Sequence, residues 1–186
     1  KAGHEDRALM CCSLSKVTFP GAGVAAMAAS RRNIDYILKN MFPMIISFDK
    51  LNQVRHIRFL KDMDGLAAHM EKHRALLEPK FRAVLAILDE GLSGCGSIAR
   101  WTKPNGGYFL SLYTLGGCAK RTVQLCREAG VVLTDAGAAY PYGVDPQDSN
   151  IRIAPTFPPL DELETASRLL CVCVRIATLE KLLQRQ

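Results

Sequence analysis

The chain has 186 residues, 48% of them hydrophobic and 23% charged, a balance that excludes a disordered or fibrous polymer and suits one domain or one and a half. Its 24 basic and 18 acidic side chains leave a net charge of +6, but the charges are dispersed rather than blocked, so no nucleic-acid interface is expected. No apolar run reaches the ~18 residues of a spanning helix, so no membrane segment is expected either.

Arg7 to Ser13 encloses the apolar run Ala8–Cys12 and reads as a buried strand. Ser13 to Gly23 is a loop, because Pro20, Gly21 and Gly23 forbid a continuous helix. Val24 to Ala29 reads as a second strand, and Ser30 caps a helix from about Arg31 to Met41. Asp49 starts another helix to about Lys61, with Leu51, Val54, Ile57 and Phe59–Leu60 as its apolar stripe. A long helix is predicted from about Asp64 to Leu92, where Leu66, Met70, Leu76–Leu77, Phe81, Val84–Leu85 and Leu88 keep a helical period. Pro79 is expected to bend it, and Gly91, Gly94 and Gly96 to stop it.

The second half changes character. Ile98–Trp101 and Tyr108–Leu112 read as a hairpin about the turn Lys103-Pro104-Asn105-Gly106-Gly107. A helix from about Cys118 to Ala129 follows, closed by Gly130, and Val131–Leu133 reads as a short strand. Ala136 to Ser149 is a loop and Asn150 to Ala154 a strand. Pro158–Pro159 open a last helix, about Leu160 to Leu183, with Asp161, Glu162 and Glu164 favourably placed in its first turns. The order predicts an α/β chain with a boundary inside the long helix. Residues 1–65 would be the end of a larger α/β domain, and residues 66–186 a smaller C-terminal α+β domain. The chain enters strand-like sequence directly from Lys1, and we expect an N-terminal portion of the protein to lie outside it.

The seven cysteines are odd in number and form no C-x-x-C pair. Cys11 and Cys12 are neighbours, Cys171 and Cys173 flank one residue, and Cys95, Cys118 and Cys126 are scattered. Reduced, apolar thiols of this kind point to a cytoplasmic protein rather than a secreted disulfide framework.

Lys16 follows the first strand and stands just before a Gly/Pro-rich turn. A lysine there can project into a cleft at a strand end, and partial desolvation or a nearby cation would make its amine a nucleophile. Ser13 and Ser15 flank it with hydroxyls that could hold a phosphate. A solvated loop lysine is the bland alternative. Ser13-Leu14-Ser15-Lys16 also matches the S-x-x-K pattern of penicillin-binding enzymes, but that chemistry wants the serine at a helix start, and S-D-N and K-T-G are absent. Gly21-Ala22-Gly23 lacks the third glycine of a dinucleotide fingerprint. His69 and His73 stand at i and i+4 and could bind a metal, but no third ligand lies nearby, so an exposed helix face is expected and no metal site. Arg152 alternates with Ile151 and Ile153 along its strand, so its root is fixed and its planar fork could grip a carboxylate. A structural ion pair with a neighbouring acid is the equal alternative, and the Asp148-Ser149-Asn150 turn could orient it.

Taken in order, S-x-S-K before a Gly-rich turn, then P-x-G-G-Y-F at Pro104–Phe109, then S-N-I-R-I-A at Ser149–Ala154, resemble the fold type I pyridoxal-phosphate (PLP) aminotransferases. The closer likeness is to the bacterial aspartate aminotransferase-like branch, MocR-type or alanine–glyoxylate aminotransferase-like, and it covers the C-terminal part of such an enzyme. The resemblance implies that Lys16 forms the internal aldimine with PLP and then shuttles a proton as general base and acid. It implies that Ser13, with Ser15 as a weaker candidate, binds the cofactor phosphate and that Arg152 binds the substrate α-carboxylate. It further implies a homodimer acting on an amino acid and a 2-oxo acid, with aspartate and 2-oxoglutarate as the expected pair. Many relatives carry an arginine in the turn after the lysine, whereas here the turn is Gly21-Ala22-Gly23 and the nearest arginines are Arg31 and Arg32. The groups that hold the cofactor ring are expected upstream of Lys1, which leaves activity of this portion alone open. The rivals are a non-catalytic effector-binding domain of a transcription regulator, an inactive fragment, and a basic interaction module.

Overall fold

A computed structural model describes residues 3–184, which divide into two units within one long helix, Lys1–Arg74 and Ala75–Gln186. In the first unit β1 (Leu9–Ser13) pairs antiparallel with β2 (Ala25–Ala29), Leu9 opposite Ala29 and Ser13 opposite Ala25. Three helical segments follow: α1 (Arg31–Met41), α2 (Lys50–Leu60) and the start of α3 (Met63–Leu92). Each start is capped by an oxygen that satisfies an otherwise orphaned N–H. Ser30 Oγ accepts from the Asn33 N–H at 3.3 Å, Asp49 Oδ1 from Asn52 N–H at 2.9 Å, and Asp62 Oδ1 from Gly65 N–H at 2.8 Å. A Cβ on Gly65 would overlap the Leu60 carbonyl, so the corner from α2 into α3 requires glycine.

The apolar run of β1 is a strand, but it is exposed at every position, as is β2 up to the half-buried Ala29. The run predicted burial; the hydrophobic pattern is present, yet no second layer covers it among the described residues. The strands described here are all paired antiparallel.

The second unit holds the hydrophobic core. Its sheet has the order β3 (Ala99–Trp101), β4 (Leu110–Thr114), β5 (Asn150–Ile153), antiparallel throughout. Alternation decides its faces: Leu110, Leu112, Ile151 and Ile153 are buried, while Ser111 and its partner Arg152 point the other way and stay half-buried. The buried face packs on the later part of α3 (Val84, Ile87, Leu88, Leu92), on α4 (Ala119–Glu128) through Val123 and Cys126, and on α5 (Leu160–Leu183) through Leu163, Leu170 and Val174. Gly91 lets α3 approach α5, since a Cβ there would stand 2.8 Å from Cys171 Sγ. Helix α4 ends as predicted at Gly130, with φ +91° and the Val131 N–H returning to the Cys126 carbonyl at 2.8 Å.

Two expectations change. Val131–Leu133 forms no strand: Val131 and Leu133 pack against the core and Val132 is 79% exposed, so the alternation is real but no backbone ladder accompanies it. The hairpin's second strand begins two residues late, at Leu110, because Thr102 closes the connection with a pair of bonds to Ser111, each 3.0 Å. Helix α3 runs unbroken from Met63 to Leu92 through Pro79, which lacks the N–H its turn would use.

Candidate active site

The loop between β1 and β2 is closed where the Leu14 N–H meets the Val24 carbonyl at 2.8 Å. Inside it the chain makes one tight turn around Lys16, with the N–H groups of Val17 and Thr18 both donating to the Leu14 carbonyl at 2.9 and 2.8 Å. Lys16 is exposed on that turn. Ser13 and Ser15 bring their hydroxyl oxygens to 2.9 Å of each other, and Ser13 Oγ also accepts from the Ser15 N–H at 3.2 Å. The structure thus brings the Ser13 and Ser15 hydroxyls together at the end of β1, where the turn that carries Lys16 begins.

Two helices fasten this loop. From α2, Asn52 Nδ2 donates to the Ala22 carbonyl at 2.6 Å, and His56 Nε2 lies 2.7 Å from the Thr18 hydroxyl. From α3, His69 Nε2 lies 2.7 Å from the Val17 carbonyl oxygen, and His73 Nε2 stands 3.1 Å from His69 Nε2. Asn52 and His56 are 7% and 4% exposed, the two buried polar side chains among the described residues of this unit. The expected exposed face at His69 and His73 is therefore corrected: both are half-buried, and His69 is turned onto the lysine loop. They have no third metal-ligating side chain beside them among the described residues.

Arg152 belongs to the second unit. Its guanidinium carbon lies 4.8 Å over the Phe109 ring, and its Nε is buried without a hydrogen-bond partner. None of the ion pairs found among the described residues involves Arg152, so the ion-pair alternative is not what the structure shows. The Asp148 turn serves helix α4 instead, its carboxylate accepting from the Lys120 N–H at 3.1 Å. What fixes the start of β5 is Asp145, whose Oδ2 accepts from Ser149 N–H at 2.7 Å and Asn150 N–H at 2.8 Å. Burial works to raise the Asp145 carboxyl, and the N–H groups of Ser149, Asn150 and Gln147 outweigh it, holding the group below its ordinary value. Arg152 also borders an open hollow of about 550 Å³ between residues 130–134 and the start of α5. Asp161 and Glu162 share that lining, so the hollow is a poor seat for a carboxylate.

The model of the aspartate amino-transferase family matches residues 1–186. The chain belongs to this family. A curated protein of Mycolicibacterium smegmatis that carries an aminotransferase name is 49% identical over 182 residues, covering 98% of this chain and 42% of that protein. The crystal structure of an aspartate transaminase from Corynebacterium glutamicum superposes with a TM-score of 0.85 at 43% identity, over 92% of this chain and 40% of that one. The α-aminoadipate aminotransferase LysN of Thermus thermophilus, solved with N-(5'-phosphopyridoxyl)-L-leucine, shares the fold with a TM-score of 0.73 at 21% identity, over 91% of this chain and 42% of its own. The chain thus has the fold of the C-terminal part of PLP-dependent aminotransferases and spans about two-fifths of the length of these relatives.

Within this aminotransferase chain, Gly23 sets how closely the loop folds on itself. A Cβ there would stand 2.7 Å from Ser15 Cβ and 2.9 Å from its Cα. Gly23→Ala is expected to push Ser15 away from Ser13 and destabilise the chain by about 1–3 kcal/mol, the usual cost of overpacking. Thermal denaturation of the full-length variant checks this, and an unchanged melting temperature would contradict it. Asn52 and His56 carry no motif and were not singled out from sequence. Their one signal is a polar pair at i and i+4 on a helix whose other face is apolar. Two buried thiols are held protonated: burial pushes Cys126 up to about 12, with Cys173 adding to it, and burial pushes Cys171 up to about 11.

Proposed function

We propose that the protein containing this chain is a PLP-dependent aminotransferase, a cytoplasmic homodimer that moves an amino group from aspartate to 2-oxoglutarate. The observation that carries this reading is Lys16, exposed on a turn beside the paired hydroxyls of Ser13 and Ser15. Two hydroxyls 2.9 Å apart suit a phosphate, and the tight packing of Gly23 on Ser15 keeps them there. PLP, when bound, supplies an electron sink that makes the substrate Cα proton acidic. The remaining work falls to side chains. Lys16 Nζ would take that proton from Cα and deliver it to the carbon on the far side of the substrate nitrogen, as general base and then acid. Ser13, with Ser15, holds the phosphate, and Arg152 takes the α-carboxylate in its two-pronged fork. The choice of aspartate is supported by the Corynebacterium glutamicum relative, and a net charge of +6 favours dicarboxylates.

The test is borohydride reduction of the full-length protein in the presence of PLP, followed by peptide mapping. A reduced adduct on Lys16 is expected. An adduct on another lysine, or none, would overturn the assignment. Bound amino acid without turnover would instead mark a non-catalytic, effector-binding member of the fold.

A further inference from the structure

We propose that His69 and His56 are positioning residues for Lys16, holding from α3 and α2 the two residues that follow it; this rests on the role proposed above for that lysine. The contacts fall directly after the amine. His69 meets the carbonyl of Val17, and His56 the hydroxyl of Thr18. These bonds reach 52 and 38 residues along the chain, so they do not merely satisfy the helices that carry them.

The proton positions follow from the partners. A carbonyl only accepts, so His69 Nε2 carries the hydrogen that it donates to Val17. His73 Nε2, 3.1 Å from the same nitrogen, faces that hydrogen as an acceptor. His56 Nδ1 lies 2.9 Å from the Asn52 carbonyl and carries its hydrogen there. The Thr18 hydroxyl, which donates to the Leu14 carbonyl at 3.0 Å, stands 2.7 Å from Nε2 of the same ring. The imidazoles are themselves braced by rings. His73 and His69 are 4.7 Å apart by centroids, His69 and Phe59 5.0 Å, Phe59 and Phe19 5.0 Å, and Phe19 and His56 5.2 Å. Phe19 belongs to the loop, so this file of rings starts on α3 and ends on α2 with the loop threaded into it. Neither histidine touches reacting atoms in this account. They fix the root of the side chain that does.

Two substitutions separate this role from simple packing. His69→Phe keeps a ring beside Phe59 and removes the donor; His69→Gln keeps an N–H at the place of Nε2. In the cofactor-free full-length protein, trypsin should cut after Lys16 about fivefold faster in His69→Phe, the population change expected from one lost hydrogen bond. In the loaded protein, kcat should fall on the order of tenfold to a hundredfold with little change in KM, because a displacement near 1 Å costs about that much. His69→Gln should recover both. Unchanged cleavage and kcat in His69→Phe, or a folded His69→Gln that recovers neither, would overturn the proposal. If His69→Phe fails to fold, Thr18→Val removes the loop's own half of the His56 contact, and the same two readouts decide. A wild-type protein with no adduct on Lys16 would refute the lysine's role, and the tryptic result would still report on the clamp by itself.

Discussion

Lys16→Ala in the full-length protein is expected to lower amino transfer by about 10⁴-fold, the upper range for losing a positioned proton-transfer group. The substitution removes the amine and keeps the backbone of the turn. The turn is held by backbone bonds from Val17 and Thr18 to Leu14 and by side chains of α2 and α3, none of which uses the Lys16 amine. The rate of oxaloacetate formation from aspartate and 2-oxoglutarate measures the effect. A variant with near wild-type turnover would mean that another lysine carries the chemistry.

Arg152→Leu is expected to reduce kcat/KM for the amino acid by about a hundredfold or more, since a bidentate pair of charge-assisted bonds is lost together. Arg152 is rooted between buried Ile151 and Ile153, and its strand begins on the carboxylate of Asp145. Its Nε is a buried donor without an acceptor, a costly state that a bound carboxylate would relieve. Arg152→Lys keeps the charge but not the fork, so it should fall between the two. The control is a substrate analogue in which the α-carboxylate is replaced by hydrogen. Wild type and Arg152→Leu should treat it alike, and an equal loss on both compounds would show that the arginine serves the fold instead.

How much of this was legible depends on how local the signal is. Ser30 and Asp49 announce helix starts because a capping oxygen needs only its own next three residues, and both cap as read. Arg152 could be placed opposite its isoleucine neighbours because a strand has a period of two. The Lys16 loop was found through Pro20, Gly21 and Gly23, residues whose backbone restrictions travel with them. Burial was less legible. The run Ala8–Cys12 has the composition of a covered strand, but cover is supplied by other elements, and composition does not say whether they are there. Val131–Leu133 fails for a related reason: its alternation satisfies the core without a pairing partner. The contacts of His56 and His69 with the lysine loop span dozens of residues, and no spacing rule on one helix reveals what the helix leans against.

The uneven placement of the core has a consequence for the lysine. All the buried hydrophobic side chains among the described residues, from Val84 to Ala177, lie in the second unit, whereas the first buries only Asn52 and His56. Burial of apolar surface is what makes a segment costly to open, so in this chain by itself the opening free energy should fall from the Leu88 layer toward the lysine turn. In this portion of the protein a handful of imidazole and amide bonds then holds the lysine turn in register, and modest changes to them would loosen it without disturbing the part of the chain that melts last.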